Sequence, residues 1–325
     1  MHRPAAFYAG LLAAQPMGFY SPQSLAADAR RHGQVVLRPC VARSAALATV
    51  ERLEVPFTEP AETRPDMARL SRVDRTLAVR MGLASVRGLG ADAAQAIVEA
   101  RAVRPFADLR DMARRVQVRP AGVSGQAGIA PAKGLTTAQW EALATAGALE
   151  SFGVTRREGL WASGALALEG PDTLPGTVPG VDAPMLPGMS AVEEAVADVW
   201  ASGVSVDTYP TVFVREGLNT QGVLTVAGVL AHEAERRVSV AGVVTHRQRP
   251  GTAKGVTFLS VEDETGFLNV ICSRGVWRRF QPVARRSPAL VIRGRIERAD
   301  GATNLVAEHL APLSLTVPSR SRDFR

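Results

Sequence analysis

Between Val238 and Leu310 the chain alternates apolar and polar positions in short runs separated by turn residues, the period-2 signature of half-buried strands. Val238, Val240, Gly242 and Val244 open the series, which then becomes basic and turn-rich at Arg247-Gln248-Arg249-Pro250-Gly251-Thr252-Ala253-Lys254-Gly255. A second run, Val256 to Val261, meets the turn Glu262-Asp263-Glu264-Thr265-Gly266, and Phe267 to Cys272 returns with the same alternation, as a hairpin requires. A short helical patch at Val276-Trp277-Arg278-Arg279-Phe280 follows, then a strand over Ala289 to Ile296, a turn at Asp300-Gly301 and a last strand over Asn304 to Ala307. The predicted order is strand, strand, strand, helix, strand, strand. Upstream the period is helical: Ala5 to Ala14, Ser24 to His32, Asp92 to Arg101, Phe106 to Arg115, a segment capped by Leu135-Thr136-Thr137 that runs through Trp140, Leu143 and Ala146 and is closed by Gly147, and Ala191 to Ser202.

The strand order matches the OB-fold, a five-stranded Greek-key barrel that binds oligonucleotides on the face of its second and third strands. A single strand of nucleic acid needs cations for its phosphates and flat rings for its bases. Arg247, Arg249 and Lys254 are the candidate phosphate contacts, and Phe258 and Phe267 the candidate stacking rings. Either phenylalanine can instead belong to the barrel core. Phe267, Asn269 and Ile271 share one side of their strand, and asparagine is a poor core residue but a good reader of base edges, so Phe258 and Asn269 lead the candidates. The acidic run Glu262-Asp263-Glu264 reads as solvated turn residues.

A second signal lies at Val86-Arg87-Gly88-Leu89-Gly90, an apolar-x-Gly-apolar-Gly turn leading into a helix, the helix-hairpin-helix pattern. Glycines let the backbone approach a phosphate, and the amides at the helix N-terminus point at it. Such binding is sequence-neutral. Arg87, Gly88 and Gly90 are the candidate contacts, with Leu89 facing inward; a plain tight turn is the alternative.

Charge sharpens the picture. The chain has 325 residues and a net charge of +7, while from Arg236 to the end 16 Lys or Arg stand against 7 Asp or Glu, a local net of +9. The basic field therefore belongs to the strand-rich region and suits a polyanion. Cys40 and Cys272 match no ligand spacing, so neither a disulfide framework nor a zinc site is indicated, and a cytoplasmic setting is expected. The apolar run Ala5 to Ala14 contains Tyr8 and Gly10 and is too short to span a bilayer, so no membrane partner is expected.

The segment Arg249 to Gly255, with Phe258-Leu259 and Glu262 to Gly266, resembles the C-terminal OB domain of bacterial family-C DNA polymerases, the error-prone branch more than the replicative α subunit. Gln15-Pro16-Met17-Gly18-Phe19-Tyr20-Ser21-Pro22 and Asp28-Ala29-Arg30-Arg31-His32-Gly33 are similar to the end of the fingers region of the same enzymes, and Ala146-Gly147-Ala148-Leu149 to the end of their tandem hairpin module. Arg119 to Gly134 departs from that pattern as a Gly/Pro/Ala-rich insertion, expected to be a flexible loop. Similar hairpins occur in the anticodon-binding domains of aminoacyl-tRNA synthetases, but a hairpin pair does not.

The expected fold class is therefore multidomain α+β: a helical fingers remnant (1–80), a tandem helix-hairpin-helix module (81–168, with the inserted loop 119–134), a Pro/Gly linker (169–190), connecting helices (191–235), a C-terminal OB-fold β-barrel (236–315) and a basic tail (316–325). The resemblance implies DNA replication and damage-induced translesion synthesis, with single-stranded template, primer-template duplex and accessory translesion polymerase factors as partners. DNA polymerases of this family are nucleotidyltransferases that use two magnesium ions on a tight Asp-x-Asp pair. No such pair is found here, so no cofactor is expected in this chain, magnesium belonging to the absent palm, and the chain alone is expected to bind DNA without extending it. The alternative is a standalone single-stranded-DNA-binding adaptor of helix-hairpin-helix and OB modules.

Overall fold

The computed structural model describes residues 2–18, 20–60, 63–119, 133–174, 176–253, 255–299, 301–317 and 322–324. In chain order the helices are α1 (Pro4–Ala13), α2 (Pro22–Arg31), α3 (Pro65–Ala68), α4 (Ala91–Val103), α5 (Leu109–Arg115), α6 (Thr137–Thr145), α7 (Arg156–Leu166), α8 (Ala191–Ser202), α9 (Arg215–Thr220), α10 (Val226–Ala231) and α11 (Arg274–Arg286). The strands are β1 (Val36–Leu37), β2 (Thr49–Arg52), β3 (Leu77–Arg80), β4 (Arg237–Gln248), β5 (Thr257–Asp263), β6 (Gly266–Cys272), β7 (Ala289–Ala299), β8 (Ala302–Pro312) and β9 (Arg322–Phe324). They form two compact units. The first comprises Met1–Gln15, Gln34–Glu59 and Leu70–Val206, the second Pro16–Gly33, Pro60–Arg69 and Asp207–Arg325.

In the first unit, helix starts are written into the sequence. Thr136 with Gln139, Thr155 with Glu158 and Ser190 with Glu193 close reciprocal capping boxes on α6, α7 and α8, satisfying amides that the first turn leaves without partners. The helices surround a core of Leu83, Leu89, Ile97, Met112, Trp140, Leu143, Leu149 and Leu166. A small sheet of order β1-β3-β2 sits in the same unit. The buried pair Arg156–Asp198, at 2.6 Å, ties α8 to α7. The Pro/Gly-rich stretch after α7 is packed as well: Glu169 is buried between Arg110 and Arg114, and Val181 enters the core. Val118 and Lys133 are bridged by two backbone hydrogen bonds of 2.8 and 3.1 Å, so the chain flanking residues 120–132, which lie outside the described residues, is paired at its base.

The second unit is built on the barrel. β4 is long enough to serve two neighbours, pairing antiparallel with β7 through Arg237–Val243 and with β5 through Val243–Gln248, with an irregularity between Val244 and His246. β5 pairs with β6, β6 runs parallel to β8, and β8 returns to β7, which closes the barrel and leaves β9 alongside β4. At Gly242 a Cβ would come within 2.6 Å of the Glu262 carbonyl oxygen, so the crossing of β4 over β5 requires a residue without one. The interior holds Val240, Val244, Leu259, Val261, Leu268, Val270, Ile292, Ile296 and Leu305, with Trp277 and Ala284 of α11 packed against them. Cys272 lies in this core, where burial pushes its thiol up to about 12. The predicted strand-helix order is the observed one. The helical patch is longer than expected, 13 residues, because Ser273 caps it and its amphipathic pattern continues past Pro282 to Arg286.

The expectation for the acidic run is overturned. Glu262-Asp263-Glu264 is not a solvated turn. Glu262 is 2% and Asp263 0% exposed. Glu262 accepts hydrogen bonds from Arg31 Nη2 and Ser24 Oγ, both at 2.9 Å. Asp263 accepts from the amides of Val226, Thr265 and Gly266 and from Arg215 Nη2, and Glu264 pairs with Arg215 and Thr211. The Thr265 and Gly266 amides are local turn partners, but Arg31, Arg215 and the Val226 amide, which complete the compensation, are distant in sequence, and period and turn chemistry do not reveal them.

Candidate nucleic-acid interface

Strand parity sorts the barrel candidates. On β5, Leu259 and Val261 point into the core, leaving Phe258 and Ser260 outside and half-buried. On β6, Leu268, Val270 and Cys272 point inward, so Phe267, Asn269 and Ile271 face out; Phe267 is 46% exposed. Neither phenylalanine is in the barrel core. Register places Phe258 opposite Ile271 and Ser260 opposite Asn269, while the neighbouring β8 sets Val306 beside Ile271 and Asn304 beside Asn269. Residues opposite one another in such pairs stand roughly 4.5–5.5 Å apart at Cβ. One row is therefore apolar (Phe258, Ile271, Val306) and the next is polar (Ser260, Asn269, Asn304). A ring-bearing row beside an amide-bearing row offers stacking surfaces and base-edge hydrogen bonds together. Ser260, Asn304 and Val306 were absent from the sequence candidates; the alternation within β5 and β8 was the signal that could have found them.

The three barrel cations separate. Arg247 is turned inward, 6% exposed, with Nε donating to the Ala284 carbonyl at 2.7 Å and Nη2 to the Ser287 carbonyl at 2.6 Å. Its guanidinium closes the C-terminal end of α11, where carbonyls lack helical partners, and it leaves the phosphate-contacting set on that ground. Arg249 is exposed in the β4–β5 loop, its Nη2 3.7 Å from the point a Cβ on Gly255 would occupy. Lys254 lies outside the described residues.

In the first unit, a single 3-10 turn at Leu83–Ser85 leads through Val86 to Gly90, which starts α4. Val86 and Leu89 are buried at 2% and 1% exposure, anchoring the turn as expected of Leu89. Gly88 and Gly90 adopt φ of +85° and +81°, and a Cβ at either would meet open space. The glycines are required by the backbone angle, not by crowding, and the open space leaves their amides approachable. The turn is held from both sides: the Arg87 N–H donates to the Ala201 carbonyl at 2.7 Å, and Gln139 Nε2 donates to the Leu89 carbonyl at 2.9 Å. The exposed Arg87 guanidinium lies 5.8 Å from the centroid of the Trp200 ring.

Among the described residues, no group of three His, Cys, Asp or Glu side chains is placed to hold a metal ion, and no helix is long and apolar enough to cross a membrane.

Comparison with known proteins agrees with both modules. Residues 33–125 match the helix-hairpin-helix motif family, and residues 238–313 match the OB-fold nucleic acid binding domain family. The whole chain aligns with error-prone DNA polymerases, 49% identical to that of Mycobacterium tuberculosis (strain ATCC 25618 / H37Rv), 48% to that of Nocardia farcinica and 42% to that of Corynebacterium glutamicum. The chain spans about a quarter of the length of these relatives: 26%, 26% and 27%. Among solved structures, asparaginyl-tRNA synthetase from Pyrococcus horikoshii aligns over 30% of this chain and 24% of its own, at 20% identity and a TM-score of 0.25. From end to end the chain is similar to the C-terminal quarter of error-prone DNA polymerases, and it carries, in order, a helix-hairpin-helix motif and an OB-fold nucleic-acid-binding domain.

Proposed function

We propose that this chain is the DNA-gripping portion of an error-prone family-C DNA polymerase, acting in replication and in synthesis across damaged template. The outer face of β5 and β6 takes the single-stranded template, and the Gly88–Gly90 turn takes the backbone of the primer-template duplex. The observation that carries this reading is the emergence of both Phe258 and Phe267, with Asn269 between them in parity, on one outward face of the barrel. Accessory translesion factors are the expected protein partners. Nucleotide transfer needs two metal ions on carboxylates. Such ions are assigned to the palm of the full enzyme.

Fluorescence anisotropy with labelled oligonucleotides tests this, the purified chain being expected to bind both a single strand and a primer-template junction. Gly88→Val, which forces a branched side chain to φ near +85°, is expected to weaken duplex binding roughly 5- to 30-fold, equivalent to about 1–2 kcal/mol of turn strain, and to leave single-strand binding alone. Unchanged duplex affinity in a folded variant makes the turn structural only.

A further inference from the structure

We propose that the arginine-bearing side of α11 is a second phosphate-binding track, which takes the backbone of single-stranded DNA as it leaves the β5–β6 face past the β4–β5 loop. The inference rests on the reading that this face binds a single strand.

α11 reads Arg274-Gly275-Val276-Trp277-Arg278-Arg279-Phe280-Gln281-Pro282-Val283-Ala284-Arg285-Arg286, with five arginines and no acidic residue. At about 100° per residue, Arg274, Arg278 and Arg285 fall within about 40° of one another, and Arg279 and Arg286 lie about 100–120° round the helix from the middle of that group. Val276, Trp277, Phe280, Val283 and Ala284 occupy the opposite side and pack on the barrel. All five arginines are exposed. Among the described residues none of the five is paired with a carboxylate. Arg43, Arg75, Arg104 and Arg237, also on the surface, each have such a partner. Like charges one turn apart, as at Arg274 and Arg278, cost a helix a few tenths of a kcal/mol, and an anion laid across them removes that cost.

The track is continuous with the face already described. α11 begins at Arg274, three residues after Ile271 of β6, and Arg274 lies 3.5 Å from the point a Cβ on Gly255 would occupy, a point that Arg249 also approaches. Gly255 in turn precedes Phe258 by three residues. Arg274, Arg278 and Arg285 then extend along the helix for about 16 Å. A row of cations of that length, none of them paired with a carboxylate among the described residues, matches a phosphate backbone. A lipid surface fits less well, because the apolar side of α11 is occupied by the barrel and has nothing to insert.

The test compares a hexanucleotide, within the roughly 4–16 nucleotides that one OB-fold covers, with a 24-nucleotide single strand, each titrated over a range of salt. The variant carries Arg274→Gln, Arg278→Gln and Arg285→Gln. It is expected to melt as the unaltered chain does and to bind the hexanucleotide equally well. For the 24-mer, its affinity should fall about tenfold or more and its salt slope by about 2, at 0.7 per lost contact. The Arg→Lys version of the triple variant should keep the slope. Phe267→Ala should weaken both oligonucleotides. An unchanged 24-mer slope overturns the track, as does an equal loss on the hexanucleotide or a loss confined to duplex or to phosphatidylglycerol vesicles. Failure of the unaltered chain to bind either oligonucleotide overturns instead the function on which the track rests.

Discussion

Glu262→Ala is expected to destabilise the chain by about 3–5 kcal/mol, because it strands the Arg31 guanidinium in a place where water cannot replace the lost carboxylate. Arg31 is 3% exposed, and among the described residues the carboxylates that pair with it are Glu262 and, at 3.6 Å, Asp28. Ser24 loses its acceptor in the same substitution. The carboxylate sits on the outward parity of β5, opposite Phe267, so α2 covers one end of the outer face at this point. Denaturant unfolding of the full chain measures the effect. A loss below about 1 kcal/mol would show that the pair is solvated in solution, as surface ion pairs are.

Phe267→Ala is expected to reduce single-strand affinity by roughly 5- to 150-fold, the equivalent of about 1–3 kcal/mol for one stacked base, with little change in salt slope. Its ring is 46% exposed, so the variant should melt close to the unaltered chain, whereas emptying a core position of a phenylalanine costs about 3–5 kcal/mol. Phe258→Ala should lose binding in the same way but also some stability, since its ring is half-buried against the β6 neighbour Ile271. Equal drops in melting temperature for the two variants, with binding preserved, would remove stacking from the account.

How far the sequence discloses this protein depends on how local each signal is. The β5–β6 hairpin, the caps of α6 and the positive-φ glycines before α4 are written in contiguous residues, and the structure has them where the pattern places them. Arg247 shows the limit: it sits in a basic loop-entry segment that reads as surface, yet its partners Ala284 and Ser287 lie 37 and 40 residues away, and only the closed barrel brings them together. The acidic run at Glu262 fails for the same reason, its partners Ser24 and Arg31 being 238 and 231 residues distant. Side-chain parity lies between these cases. The alternation of β6 states that Phe267, Asn269 and Ile271 share a side, but which side is core is decided by Leu268 and Val270 meeting β5 and β8. The placement of residues 16–33 in the same unit as the barrel had no periodic signature at all.

The two hydrogen bonds between Val118 and Lys133 have a meaning for how this molecule can vary in length. They fix the ends of the intervening segment independently of what lies between them, and Gln139 holds the Leu89 carbonyl from beyond that segment. Closing a longer loop between fixed ends costs only about 0.6 kcal/mol for each doubling. Related chains can therefore gain or lose residues here while the Gly88–Gly90 turn keeps its geometry. For the same reason, a reporter peptide or affinity tag spliced between Val118 and Lys133 should leave duplex binding intact, making this an internal attachment point that leaves both chain ends untouched.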